Sequence, residues 1–340
     1  MLSSSAALFS PRSNTTAGPF DRIRFESPCL EALTAAHTVV DLHFHSCHSD
    51  GRDSVAQIAD HMRKLGIGLA LTDHNAIAGA VELDRHKDLL TIPGIEVTSR
   101  EGTHVLVYFY RIKDLKSFYA KDVAPHMGPT VMSAIGLDMA AILERARAYN
   151  SVVIFPHPYA AGFTGICNPG FTGAQSLRLL RSADGVEAIN AENLGRWNIK
   201  SALLGTNLGK AVTGGSDGHS IRQMGASVTY ADCKPTRKAF LDALRKKEVR
   251  VMGKETDLLT KIRSNSAKLK VGLHNCPDLV EKNVRYGKTV VRFQARKAVD
   301  KILDTADGRY IRRAFYVVSG LTFVKLNYNA LPLMMFKLMT

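Results

Sequence analysis

His43 and His45 stand two residues apart at the end of an apolar run, within the stretch DLHFHSCHSDG at residues 41–51. In an extended strand residues i and i+2 share a face, so both imidazoles can reach one cation. Asp50 follows in a turn closed by Gly51. The same placement recurs along the chain: His74 in TDHN, Glu96 in PGIEV, His104, His157 in FPHP, and Asp217 with His219 in GSDGH. Six of the twelve histidines therefore fall at the ends or starts of apolar runs, in company with three carboxylates. A lone histidine is ordinarily a core or surface residue, but nine potential ligands in one recurring context point to bound metal. Mixed imidazole and carboxylate donors suit zinc, manganese or iron better than calcium. His37, His61, His86, His126 and His274 take the structural reading; His48 stays open because it lies inside the first stretch, and Cys47 is assigned no role.

Something must bring these residues together. Short apolar runs at 38–42, 69–72, 91–95, 105–109, 152–155, 186–189 and 212–214 read as buried strands. Helical stretches lie between them, for example 54–65, where Val55, Ile58, Ala59, Met62 and Leu65 fall on one face and Asp53 or Ser54 can cap the start. A second helix is expected at 138–148, after a loop insertion at 127–137 that holds Gly128, Pro129 and Gly136. Alternating strand and helix imply parallel strands joined by crossovers, and a closed or nearly closed barrel is the economical α/β arrangement, with its site where the strands end.

The chain of 340 residues is 45% apolar, enough for one large core. Five scattered cysteines argue against a disulfide framework and for a reducing, cytoplasmic compartment. The formal charge of +14 favours an anionic substrate or a polyanionic partner. Much of it is local, with sixteen Lys or Arg against six Asp or Glu in residues 256–340. That extension ends in two uncharged apolar runs, 314–324 and 326–336, expected to pack on the barrel; contact with nucleic acid or an anionic surface is the competing reading. The first twenty residues hold no acid and are rich in Ser and Thr; this faintly resembles an organelle transit segment, but a floppy leader is preferred. No uncharged apolar run reaches the ~18 residues of a transmembrane helix. The expected organisation is a partly disordered leader at 1–37, a barrel at 38–255 and a basic extension at 256–340.

The ordered set HxH, SDG, TDHN, GIE, a following His, HP and SDGH resembles the polymerase-and-histidinol-phosphatase (PHP) family of metal-dependent phosphoesterases, over about residues 39–225. The resemblance implies a distorted (β/α)7 barrel and hydrolysis of a phosphate ester by attack of a metal-bound hydroxide, without a nucleophilic side chain. It implies three divalent ions (Mn, Zn or Fe): one on His43, His45, Glu96 and Asp217, a second on Asp50, His74 and His219, and a third on Glu96, His104 and His157, with Glu96 bridging. Of these, His43, His45, Asp50, Glu96, Asp217 and His219 would carry the catalysis. Arg196, Arg222 and Asn193 are candidates for orienting the ester, Asn190 and Glu192 share the loop of Asn193, and Trp197 either stacks a base or anchors a helix. Asp73 is read as an outer partner of the ligands or as a capping residue. The substrate expected first is a nucleotide or short oligonucleotide. A small phosphomonoester such as histidinol phosphate, and a catalytically silent nucleic-acid-binding module, are the alternatives. An amidohydrolase also begins with HxH, but it would call for a bridging lysine and a lone late Asp, which SDG and SDGH fit poorly.

Overall fold

The computed structural model describes residues 22–160 and 164–257, with residues 260, 291 and 295. The leader up to residue 21 and the apolar runs of the basic extension lie outside the described residues. In chain order the elements are β1 (Ile23–Arg24), α1 (Leu30–Ala36), β2 (Thr38–Phe44), α2 (Val55–Leu65), β3 (Gly68–Leu71), α3 (Ala78–Leu83), β4 (Thr91–Thr98), β5 (His104–Phe109), α4 (Ile112–Phe118), α5 (Met139–Arg147), β6 (Ser151–Phe155), α6 (Gly173–Ser182), β7 (Gly185–Asn190), α7 (Gly195–Asn207), β8 (Ala211–Gly215), β9 (Ser227–Ala231), α8 (Arg237–Arg245) and β10 (Val249–Gly253). Residues 22–37, expected in the leader, thus supply β1 and α1.

Helix boundaries follow local chemistry. Ser54 accepts from Gln57 N and Gln57 answers at the backbone N–H of Ser54, a capping box that starts α2, and Gly66 in the left-handed region stops it. Asp138 caps α5 by accepting from Ala141 N. Val55, Ile58, Ala59 and Met62 are buried, as their spacing predicts.

One ten-stranded sheet runs β1-β10-β9-β2-β3-β4-β5-β6-β7-β8. Strands β2 to β8 form a distorted barrel of the (β/α)7 kind. Its seam lies between β8 and β2, where Asp217 N donates to His43 O at 2.8 Å and His45 N donates to Gly218 O at 2.9 Å. The first half of β2 pairs instead with β9, antiparallel over Thr38–Val40. A methyl group on Gly215 would strike Cβ of His43, so glycine lets the seam close.

The expectation of uniformly parallel strands fails at β5, which is antiparallel to both β4 and β6. The cause is loop length. Only residues 99–103 join β4 to β5, as a turn in which Ser99 N donates to Thr103 O at 2.9 Å, whereas a parallel crossover needs a dozen or more residues.

Alternation along the strands sorts the side chains. Ile95, Val97, Val105, Val107, Val153 and Phe155 join one core with α5 and α6. On the other face Val40, Leu42, Ile92, Leu106, Tyr108, Val152 and Ile154 form a second core, continued by Phe240, Leu241 and Leu244 of α8. Glu96 shares the parity of Ile92, and His104 that of Leu106 and Tyr108. The inward strand faces are therefore apolar at one end and ligand-bearing at the other.

Candidate metal centre

All nine expected ligands converge where the barrel strands end. Seven of them are buried outright, His104 and Asp217 keeping 13% and 14% of their side-chain surface. Glu96 is the hub. Its Oε2 lies 3.3 Å from His43 Nε2, 3.4 Å from His45 Nε2 and 3.1 Å from His74 Nδ1, while Oε1 lies 2.8 Å from His104 Nδ1 and 3.3 Å from His157 Nε2. Asp217 Oδ1 sits 3.1 Å from His45 Nε2 and 3.5 Å from His43 Nε2. Asp50 Oδ2 sits 3.1 Å from His219 Nε2 and 3.7 Å from His74 Nε2.

Four overlapping groups have donor atoms within 4.8 Å of one another: His45, Asp50, His74 and His219; His43, His45 and Glu96; His43, His157 and Asp217; His74, Glu96 and His104. The donors fit cations better than they fit each other. His74 Nδ1 approaches Glu96 Oε2 to 3.1 Å without hydrogen-bond geometry, and among the described residues the buried Nδ1 atoms of His45, His74 and His157 find no hydrogen-bond partner. Buried imidazole nitrogens left in this way cost free energy unless something else binds them.

Electrostatics agree. Burial outweighs the neighbouring carboxylates at His74 and pushes its pKa down to about 3, the neutral form a metal ligand needs. Burial opposes the charge of Glu96, but His104, His74 and His43 outweigh it and hold the carboxyl well below the usual range. Asp50 is held well below its ordinary value, against burial, chiefly by His219 and His74. At His43, burial opposes the charge but is outweighed by Asp217, Glu187 and Glu96, which hold the ring well above the usual imidazole value.

Two of the nine residues occupy the left-handed region that favours glycine, His157 at φ 30° and Asp217 at φ 51°, and so does Asn75, beside His74, at 44°. Such strain persists only where surroundings enforce it. Asp217 N is tied to His43 O, His157 N to Glu187 Oε2 at 2.9 Å, and Asn75 Nδ2 to the carbonyls of Val131 and Ser133.

An outer layer of acids holds these loops. Asp73 accepts from Ser46 N at 2.8 Å, Ser46 Oγ at 2.7 Å and Ser49 Oγ at 2.6 Å, fixing the loop that carries Asp50. Asp41 accepts from Ser216 N and Oγ and from Gly225 N across the seam; burial nevertheless pushes its carboxyl up to about 6. Asp41 and Glu187 are absent from the sequence-derived list of site residues. A lone acid inside an apolar strand, as in GVEAIN, is the signal that could have found Glu187.

The substrate-orienting candidates separate. Asn193 is buried and its Nδ2 has no hydrogen-bond partner among the described residues, whereas Arg196 and Arg222 are exposed. The Arg196 guanidinium lies 5.7 Å from the ring centroid of Trp197, which is half-buried. Asn190 is buried and donates to Asp217 Oδ2 at 3.1 Å. Glu192 accepts from Gln223 Nε2 at 2.5 Å. His48 lies outside the cluster, 3.4 Å from Glu82.

Residues 195–249 match the family model described as PHP-associated. No curated protein matches the chain. Among solved structures it is similar to a lesion-specific endonuclease, EndoQ from Pyrococcus furiosus, with 16% identity and a TM-score of 0.52 over 63% of this chain and 57% of that one. Endonuclease Q bound to a 27-mer duplex with an abasic lesion gives 16% identity and a TM-score of 0.51, over 62% of this chain and 57% of that one. A two-domain protein from Bacteroides vulgatus containing a predicted PHP-like metal-dependent phosphoesterase gives 15% identity and a TM-score of 0.47, over 68% and 69%. The matched segment and the barrel, with the ordered motifs that run through it, are what this chain shares with proteins of the PHP type.

Proposed function

We propose that this protein is a metal-dependent phosphoesterase. The observation that carries the reading is the cluster itself: five imidazoles face the two oxygens of the buried Glu96, in groups small enough to hold cations that share ligands. We assign one cation to His43, His45, Glu96 and Asp217, one to Asp50, His74 and His219, and one to Glu96, His104 and His157, with Glu96 shared. Bound there, divalent ions would offset the charge of a phosphate ester and lower the pKa of water at neutral pH.

The chain's residues would do the rest. Glu96 keeps neighbouring positions close by sharing its oxygens. Asp217 and His104, the two ligands that retain some exposure, face the side from which an ester arrives. Asn193, with a buried amide nitrogen to offer, would orient a phosphoryl oxygen, and Arg196 and Arg222 would attract the substrate from the rim. A nucleotide or short oligonucleotide is the preferred substrate. The net charge of +14 supports it, as does a barrel shared with an endonuclease that binds a DNA duplex.

The test is release of phosphate or nucleotide from nucleotides, short oligonucleotides and small phosphomonoesters including histidinol phosphate, with manganese or zinc and again with a chelator. Asp217→Asn keeps the shape and tolerates the left-handed backbone. It should abolish release while the circular dichroism stays unchanged. Turnover that survives the chelator, or survives in Asp217→Asn, would overturn the assignment.

A further inference from the structure

Glu187 touches neither solvent nor any Lys or Arg among the described residues, being 1% exposed, yet both of its oxygens are engaged. Oε1 lies 3.0 Å from His43 Nδ1. Oε2 accepts from the backbone N–H of His157 at 2.9 Å and from Asn190 Nδ2 at 2.9 Å, and the same Asn190 nitrogen donates to Asp217 Oδ2 at 3.1 Å. One buried carboxylate is thus linked to His43 through its ring, to His157 through its backbone and to Asp217 through Asn190. Those three residues form one of the cation-sized groups and His43 belongs to a second, with His45 and Glu96, whereas among the described residues Glu187 makes no hydrogen bond or ion pair with Asp50, His74 or His219.

We infer that Glu187, working with Asn190, is a positioning residue for the cations on the His43, His157 and Asp217 side of the cluster, and that the position formed by Asp50, His74 and His219 does not depend on it. The inference rests on the metal-centre reading above. The physical reasons are specific. A carboxylate on Nδ1 fixes the His43 tautomer so that Nε2 presents its lone pair, and raises the basicity of that nitrogen. The bond to His157 N holds a non-glycine residue at φ 30°, a conformation that aims the imidazole and would otherwise relax. Gly215 leaves the room this requires, because a methyl group there would lie 2.7 Å from Glu187 Oε1.

Glu187→Gln retains the size but only one acceptor oxygen, so either the His157 N–H loses its acceptor or the amide N–H donates to His43 Nδ1 and leaves the proton on Nε2, the nitrogen that faces the cluster. Asn190→Ala cuts only the link to Asp217 and serves where the first variant does not fold. Metal-stripped protein is titrated with manganese by calorimetry, metal per chain is counted by elemental analysis, and folding is checked by thermal unfolding in chelator. Glu187→Gln should bind at least one ion per chain fewer than wild type, while the ion at Asp50, His74 and His219 keeps wild-type affinity. Asn190→Ala should keep the full number, with one site weakened about 10- to 100-fold. Full occupancy at wild-type affinity in both variants, or simultaneous loss of all ions from a folded variant, would overturn the inference. Wild-type protein that binds no metal would instead overturn the proposed function.

Discussion

The two ends of the barrel handle buried acid in opposite ways. Where the strands begin, carboxylates meet the chain's own cations. Asp84 is gripped by the Arg237 guanidinium and by Lys87 Nζ at 3.0 Å, and Arg237 also donates to Thr91 O at 2.8 Å, at the start of β4. Where the strands end, Asp50, Glu96 and Glu187 are more deeply buried, yet among the described residues none of them pairs with Lys or Arg; their partners are imidazoles, an amide and backbone N–H groups. A chain with 45 Lys and Arg does not lack cations to place there. A buried carboxylate without a fixed positive charge is expensive, and a fixed one would occupy the space of an exchangeable ion. The contrast teaches that the ligand end keeps a deficit of positive charge for something the chain does not encode.

The largest effect tests that deficit directly. Glu96→Gln changes one charge and almost no volume. Because five imidazoles share this carboxylate, it should remove more than one ion per chain by elemental analysis and bring ester hydrolysis to the chelator baseline. An unchanged metal count would mean that the two ends do not differ in the way argued. Asp73→Ala acts one step further out, on the loop of Ser46 and Ser49 that carries Asp50. It should weaken metal binding about 10- to 100-fold without abolishing it. A titration with manganese checks this, and unchanged affinity would return Asp73 to a plain capping role.

The ligand end was far more legible in the sequence than the frame around it. The nine expected ligands lie near strand ends, where an abrupt change from apolar to polar residues reveals them, and the strands of the ring showed as apolar runs within two or three residues of their observed limits. Elements without such a terminus went unread. β9, SVTYA, and β10, VRVMG, bear no ligand, and the polar residues within them mimic a surface segment although both strands are buried. Their role, pairing with the first half of β2 so that its second half can turn to β8, is a long-range property that no local pattern carries. Asp41 and Glu187 escaped for the converse reason, since each interrupts an apolar run instead of ending it. The reversal of β5 could have been read from the shortness of residues 99–103, because a loop of that length forbids a parallel crossover.

The opposite end of the barrel gives a prediction about stability alone. Burial works against the charge of Asp84, but its hydrogen bonds to Arg237 and Lys87 outweigh that and hold the carboxyl below its ordinary value. A depressed folded-state value means that the interaction contributes fully above the unfolded carboxylate pKa of ~3.9 and is lost as pH falls below it. Arg237→Ala should therefore cost about 2 kcal/mol in urea unfolding at pH 7. The gap from wild type should close on acidification below about pH 4, while metal content and hydrolysis stay unchanged at neutral pH. Any loss of metal in this variant would blur the division between the two ends.

The smallest effect is expected from Ser54, which sits on the ligand side of the barrel but belongs to the frame. Its capping box orders the first turn of α2, and that turn follows Asp53, whose Oδ2 accepts from Ile221 N at 2.7 Å and whose carbonyl accepts from Cys47 N at 3.0 Å. Closeness to the site is therefore not the same as control of it. The Asp50 loop is held by Asp73, and the seam by Asp41 and Gly215, none of which touches the cap. Ser54→Ala should lower stability by about 1 kcal/mol through the lost cap, measured as a shift of the urea midpoint without a change of slope, with manganese affinity equal to wild type. If this variant weakened metal binding as much as Asp73→Ala does, the outer acids would not be the specific supports of the ligands, and the whole strand-end face would have to be treated as one cooperative unit.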